Sequence, residues 1–213
     1  ITDIPLIEYI ASKGKPVIIS TGIAVLDDIK EALNACKKVG NNRIILLKCT
    51  SAYPAPYKEI NLRTIPDMAK KFNCMVGLSD HTLGISVPIA AISLGARIVE
   101  KHFILDRKLG GPDSKFSAEP EEFKKMVSSI REVEESLGTV NYKLTESMKK
   151  SRGAARSLFV TEDIKRDETF TENNIRSIRP GNGLHPKFLK NILGRKAKED
   201  LEKGTPLNIK LIK

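Results

Sequence analysis

The sequence predicts an α/β fold over residues 1–140 and a small β-rich module over residues 154–213. Three observations carry that prediction. A short apolar strand, a polar turn and an amphipathic helix recur four times in the first 140 residues. The strands read as continuous apolar runs rather than alternating ones, the mark of a parallel sheet covered on its outer face by helices. Past residue 153 the helical pattern gives way to short strand-like runs between Gly- and Pro-bearing turns.

The first predicted strand is Pro16–Ser20, followed by a turn at Thr21-Gly22. A helix begins near Asp27, with Leu26, Ile29, Leu33 and Cys36 roughly on one face. The second strand, Arg43–Cys49, leads into the Pro-rich turn Tyr53-Pro54-Ala55-Pro56 and a helix from about Asn61 that carries Leu62, Ile65, Met68 and Ala69. The third, Cys74–Leu78, runs into Ser79-Asp80-His81 and a small-residue helix, Val87–Leu94. The fourth, Arg97–His102, precedes a long loop and a helix from Pro120 to about Leu137, with proline in the first turn where it is well accepted. Four such units are half of an eight-stranded barrel. The pattern therefore leaves two architectures open, a small open α/β sheet or a barrel with further strands upstream. Residues 141–153 are polar and weakly patterned, and read as a linker. In the last module Ser157–Val160, Ile175–Ile178 and Pro206–Ile209 read as short strands. A module of this size lies near the lower limit for independent stability, so docking on a partner surface is expected.

Composition narrows the function. With 40% hydrophobic and 29% charged residues, the 213-residue chain reads as an ordinary soluble globular protein with a real core. No apolar run approaches the roughly 20 residues of a membrane helix. The opening ITDIPLIEYIASKGK has neither the basic start nor the cleavage site of a secretory signal. Cys36, Cys49 and Cys74 are odd in number and lack a CxxC spacing, which favours reduced, buried thiols and a cytoplasmic location. The net charge is +10; residues 151–213 hold 14 Lys and Arg against 8 Asp and Glu, or +6, leaving +4 for the rest. These charges are scattered among acids without interleaved aromatics, which argues against nucleic acid and for small anionic substrates such as phosphates and carboxylates.

In parallel sheets the chemistry gathers at the C-terminal ends of the strands. Each predicted strand ends in polar groups: Ser20; Lys48 with Thr50 and Ser51; Ser79 with His81; Glu100 with His102. Adjacent strands lie about 4.8 Å apart, so His81 and His102 can converge on one divalent ion, for which neutral imidazole is a common ligand. The alternative is that each is a satisfied core or loop histidine. Ser20, Thr50, Ser51 and Ser79 fit phosphate contacts beside helix N-termini, and equally fit helix N-caps. The glycines of Gly110-Gly111-Pro112-Asp113-Ser114 permit close approach of a ligand, with Asp113 as an acceptor for hydroxyls, or form an ordinary turn. Arg179, in Arg179-Pro180-Gly181-Asn182-Gly183, suits carboxylate or amide recognition, or is a solvated charge.

The segments KCTSAYPAPYKEINL, GLSDHT, EKHF, GGPDS and RPGNG, in that order and spanning nearly the whole chain, resemble the sialic acid synthase family. The resemblance implies the C-terminal half of a (β/α)8 TIM barrel followed by a small SAF (antifreeze-protein-like) domain. It implies an enzyme that joins phosphoenolpyruvate to an N-acetylated sugar aldehyde, with His81 and His102 as ligands of Mn²⁺ or Mg²⁺. Ser20, Ser51 and Ser79 match phosphoenolpyruvate-binding positions, Ser51 standing where an Asn is common. Tyr53 and Asp113 match sugar contacts. Arg179 matches the arginine that reaches the sugar's acyl group across a domain-swapped homodimer. The implied chemistry is attack of C3 of phosphoenolpyruvate on the aldehyde carbon, addition of water at C2, and loss of phosphate. LKCTSAYPAPY looks more like the pseudaminic acid synthases, which use a 2,4-diacetamido-2,4,6-trideoxy hexose, than like N-acetylneuraminate synthases, which use N-acetylmannosamine and often carry His where Lys48 stands. The family's catalytic glutamates and phosphoenolpyruvate-binding lysines have no match in this chain. The expectation is that the sequence begins mid-barrel and is not competent alone. Two other readings stay open, a non-catalytic carbohydrate-binding or capping module and a metal-dependent aldolase of another α/β family.

Overall fold

The computed structural model describes residues 1–213, which divide into two units, Ile1–Thr139 and Val140–Lys213. In the first unit four strands form a curled parallel sheet in the order β1-β2-β3-β4, the arrangement of half a barrel. They are β1 (Val17–Ser20), β2 (Ile44–Cys49), β3 (Met75–Asp80) and β4 (Val99–Lys101). The crossovers are α2 (Leu26–Lys38), α3 (Thr64–Phe72) and α4 (Ser86–Ser93), and α5 (Pro120–Leu137) follows β4. One element escapes the strand-first reading: the chain opens with a helix, α1 (Ile4–Ser12). Asp3 caps it by accepting the Leu6 N–H at 3.0 Å, and Ile7 and Ala11 are buried one turn apart.

Strand side chains alternate between faces, and here the two faces differ. Val17, Ile19, Ile44, Leu46, Val76 and Leu78 point to the helices and form the core with Ile29, Ala32, Leu33 and Cys36 of α2 and Ile65 and Met68 of α3. Burying each large side chain contributes about 1.5–3 kcal/mol. On the other face Ile18 and Met75 are half exposed, at 52% and 50%. The apolar runs of the strands thus reflect two apolar faces, of which the helices cover one. The register sets the site: Cys49 lies beside Ser79, Ser79 beside Glu100, and Asp80 beside Lys101. His81 and His102 follow directly on the last paired residues.

In the second unit β5 (Ser157–Val160) and β6 (Ile175–Ile178) pair antiparallel over a core of Leu158, Val160, Ile164, Phe170, Ile175, Ile192 and Leu207. The third expected strand, Pro206–Ile209, is absent as such. Pro206 bridges Phe159, and Leu207 donates its N–H to the Leu158 carbonyl and accepts the Leu184 N–H, but Asn208 then accepts the Lys210 N–H and turns the chain into a 3-10 helix, Ile209–Leu211. The polar stretch read as a linker contains a helix, α6 (Glu146–Arg152), capped by Thr145 and without buried residues. A further short helix, α7 (Leu189–Ile192), places Ile192 in the core. No helix is long and apolar enough to cross a membrane.

Candidate active site

The C-terminal ends of β2, β3 and β4 bring His81, His102 and Tyr53 together. The imidazole centroids of His81 and His102 are 5.2 Å apart, and the Tyr53 ring lies 4.3 Å from His81 and 6.0 Å from His102. Phe116 closes the group at 4.9 Å from His102 and 5.5 Å from Tyr53. His81 is buried, and its Nδ1 lies 2.9 Å from the carbonyl oxygen of Thr50, with Cys49 Sγ at 3.9 Å. A carbonyl only accepts, so Nδ1 carries a proton, and in the neutral ring the lone pair is the one on Nε2. His102 Nδ1 faces Asp113 Oδ2 at 3.5 Å. Both rings therefore turn Nδ1 toward an oxygen, the arrangement by which an outer partner fixes the tautomer of a ligating histidine. No cluster of three or more His, Cys, Asp or Glu side chains has metal-binding geometry, so the two imidazoles stand as a pair.

The strand-end hydroxyls are not helix caps. The N-caps of α2, α3 and α4 are Val25, Arg63 and Ile85, and α2 is held instead by Asp28, which accepts the Val25 N–H at 2.8 Å. Ser79 is buried and donates to Glu100 Oε1 at 2.7 Å across the β3–β4 pair. Ser20 is half-buried at the end of β1, beside Leu47 in register. Ser51 is exposed and rests against Gly22: a Cβ at Gly22 would come within 2.0 Å of Ser51 Oγ and 3.0 Å of Cys49 Sγ. Glycine at 22 is thus what lets the loop after β1 approach the loop after β2. Asp113 is exposed in the loop between β4 and α5, beside His102. Arg179 is exposed in the second unit, on the loop after β6.

Lys48 points away from this group. Its ammonium donates to the Cys49 carbonyl at 2.6 Å and to Thr50 Oγ1 at 3.3 Å, and it lines an open cleft of about 900 Å³ with Tyr57, Lys58, Asn61 and Arg63. Burial pulls its pKa below the usual lysine range.

Several residues around the site were assigned no contact or ligand role from the sequence, although Glu100 was among the polar strand ends. Phe116 and Cys49 pack on the histidines, and Glu100 accepts from Ser79. Asp80 and Lys101 form an ion pair at 2.6 Å with side chains 1% and 4% exposed. Opposite charges directly precede the two histidines on neighbouring strands, but nothing local in the sequence marks them as a buried pair.

Residues 1–142 match the model of the NeuB family. The chain belongs to that family. Residues 155–212 match the SAF domain. This NeuB-family chain is 46% identical over 201 residues to pseudaminic acid synthase of Campylobacter jejuni, covering 94% of this chain and 59% of the relative. It is 42% identical over 207 residues to N,N'-diacetyllegionaminic acid synthase of the same species, covering 94% and 62%. The crystal structure of a spore coat polysaccharide biosynthesis protein from Bacillus subtilis superposes with a TM-score of 0.62 at 35% identity, covering 100% of this chain and 65% of that one. The chain spans about three fifths of the length of the curated relatives it matches.

Proposed function

We propose that this NeuB-family chain serves a phosphoenolpyruvate-dependent synthase that condenses phosphoenolpyruvate, an N-acetylated sugar aldehyde and water to a nine-carbon acid and phosphate. The observation that carries the reading is the pair of strand-end imidazoles, each with Nδ1 turned to an oxygen and Nε2 left for a ligand. Two neutral nitrogen donors suit a borderline divalent cation, and His81 and His102 would hold Mn²⁺ or Mg²⁺ through Nε2. Such a cation supplies Lewis-acid polarisation of the sugar's aldehyde oxygen.

The chain's own residues do the placing. Ser20, Ser51 and Ser79 offer hydroxyls toward phosphoenolpyruvate from three neighbouring strand ends. Ser79 exchanges its bond to Glu100 for one to the ligand. Tyr53 covers both histidines, excludes water from one side and presents its phenol to the sugar. Asp113 orients His102 and remains exposed enough to accept from a sugar hydroxyl. Arg179 presents a guanidinium to the sugar's acyl group across a homodimer in which the SAF domain covers the partner's barrel. The sugar is a 2,4-diacetamido-2,4,6-trideoxy hexose, a choice supported by the 46% identity to a pseudaminic acid synthase. The compartment is the cytoplasm.

The test is product formation by the full-length protein with Mn²⁺, phosphoenolpyruvate and either the diacetamido sugar or N-acetylmannosamine. Stoichiometric phosphate and nine-carbon acid from the first sugar, lost in His81→Ala and His102→Ala, is the expected result. Preference for N-acetylmannosamine would overturn the sugar assignment, and no product from either would overturn the synthase reading.

A further inference from the structure

The Asp80–Lys101 pair is the most deeply buried ion pair in the chain, and nothing in the proposed reaction uses it. Its partners lie opposite each other in the β3–β4 register, one residue before His81 and one before His102. Alternation along a strand puts the pair on the helix-facing side and the histidines on the other. The Lys101 ammonium reaches two groups, Asp80 Oδ2 at 2.6 Å and the Thr82 carbonyl at 2.6 Å. Asp80 Oδ1 accepts from the Thr82 N–H at 3.0 Å and from its hydroxyl at 2.8 Å. Thr82 is itself fully buried. The residues immediately before and after His81 are thus tied to each other and, through one ammonium, to the residue before His102.

Stability alone does not account for this arrangement. Removing two charges from water costs about as much as their attraction returns, and apolar replacements of similar size often stabilise. What such a network does fix is geometry, because each of its bonds is directional and together they leave Asp80, Thr82 and Lys101 no freedom to move separately. Beside Lys101 lies a small cavity lined by Leu83, Ile85, Phe116, Ala118 and Met126 together with the charged Arg107 and Glu122.

We propose that Asp80, Lys101 and Thr82 are positioning residues that set the separation and orientation of the His81 and His102 imidazoles; the proposal rests on reading those histidines as a metal site. The lysine couples the two strand ends, so that His81 and His102 present Nε2 to a common point before any ligand arrives.

The full chain provides the test, with two readouts. Long-range ¹H–¹⁵N correlation spectra of the imidazoles report tautomer and order without metal, with His81→Ala and His102→Ala giving the assignment. Titration with Mn²⁺ alone, followed by electron paramagnetic resonance of the free ion, reports the site. The main variant is Asp80→Asn with Lys101→Met, which removes both charges together and leaves neither one orphaned. It is expected to melt cooperatively, to lose the single Nδ1–H signature of His81 in favour of an averaged one, and to bind Mn²⁺ about 10–100-fold more weakly. A folded double variant with parental imidazole signals and parental Mn²⁺ affinity would overturn the proposal. Should the double variant fail to fold, Thr82→Val keeps both charges and removes one donor to Asp80. A shifted His81 signal in that variant supports positioning, and an unchanged one contradicts it. If His81→Ala and His102→Ala leave Mn²⁺ binding of the parent unchanged, the metal reading falls, while the imidazole spectra of the double variant still decide the positioning claim.

Discussion

The two units place their candidate site residues by different means. In the first unit topology does most of the work. A parallel register aligns the strand ends, so that residues far apart in sequence arrive at one place, and His81 meets His102 because Asp80 pairs with Lys101. In the second unit the strands are short, and individual side chains hold the loops. Ser157 is buried; its hydroxyl donates to the Pro180 carbonyl at 2.6 Å and accepts the Gly183 N–H at 2.9 Å, which pins the loop just after Arg179. A site built on a sheet is therefore sensitive to what joins the strands, whereas a site on a loop is sensitive to single hydrogen bonds.

The comparison can be broken most forcefully at the sheet. Lys101→Met alone leaves the Asp80 carboxylate buried without its cation and should cost about 3–5 kcal/mol in chemical denaturation. A loss below about 1 kcal/mol would mean that water or another group replaces the lysine. In the second unit Ser157→Ala leaves two backbone groups without their partner and should cost about 1–3 kcal/mol. Faster amide exchange at Gly183, with little change in the β5–β6 pairing, would show the loop loosening by itself. Gly183→Ala should also destabilise, by about 1–3 kcal/mol, because its Cβ would meet the Leu158 carbonyl at 2.5 Å.

The smallest effect concerns pH. Glu122, in the first turn of α5, accepts the Glu119 N–H at 3.0 Å and an Arg107 N–H, and these hold its carboxyl below the usual range. A folded value below the unfolded one means that the stabilisation is present above the unfolded value, about pH 4.3. It is lost as pH falls through the folded value. Glu122 is half exposed, so solvent screening keeps the contribution well under about 1 kcal/mol. Glu122→Gln should flatten the acid limb of a pH–stability curve by that amount; an unchanged limb would assign acid sensitivity to other carboxylates.

How much of this could be read in the sequence follows the same division. The four strand–helix units and the polar strand ends were legible because a parallel strand is a contiguous apolar run and its end is simply where the run stops. The helix α1 was not, although Asp3 and Pro5 are ordinary start signals, because a nine-residue helix carries only two buried positions to reveal its period. The strand expected at Pro206–Ile209 fails on one side chain, Asn208, whose bond to the Lys210 amide outcompetes further pairing. The helix within residues 141–153 has no apolar face and so no pattern to read. In the site, His81, His102 and Ser79 were visible as residues of the right chemistry at strand ends, and Tyr53 only through the family resemblance. The Asp80–Lys101 bond was not, because nothing local in either strand says which charge will be buried against which.

The account turns on the two imidazoles, and Mn²⁺ titration of the full chain tests them most directly. We predict saturable binding of one ion that weakens more than about 100-fold in both His81→Ala and His102→Ala. Equal affinity in the parent and in both variants would contradict it.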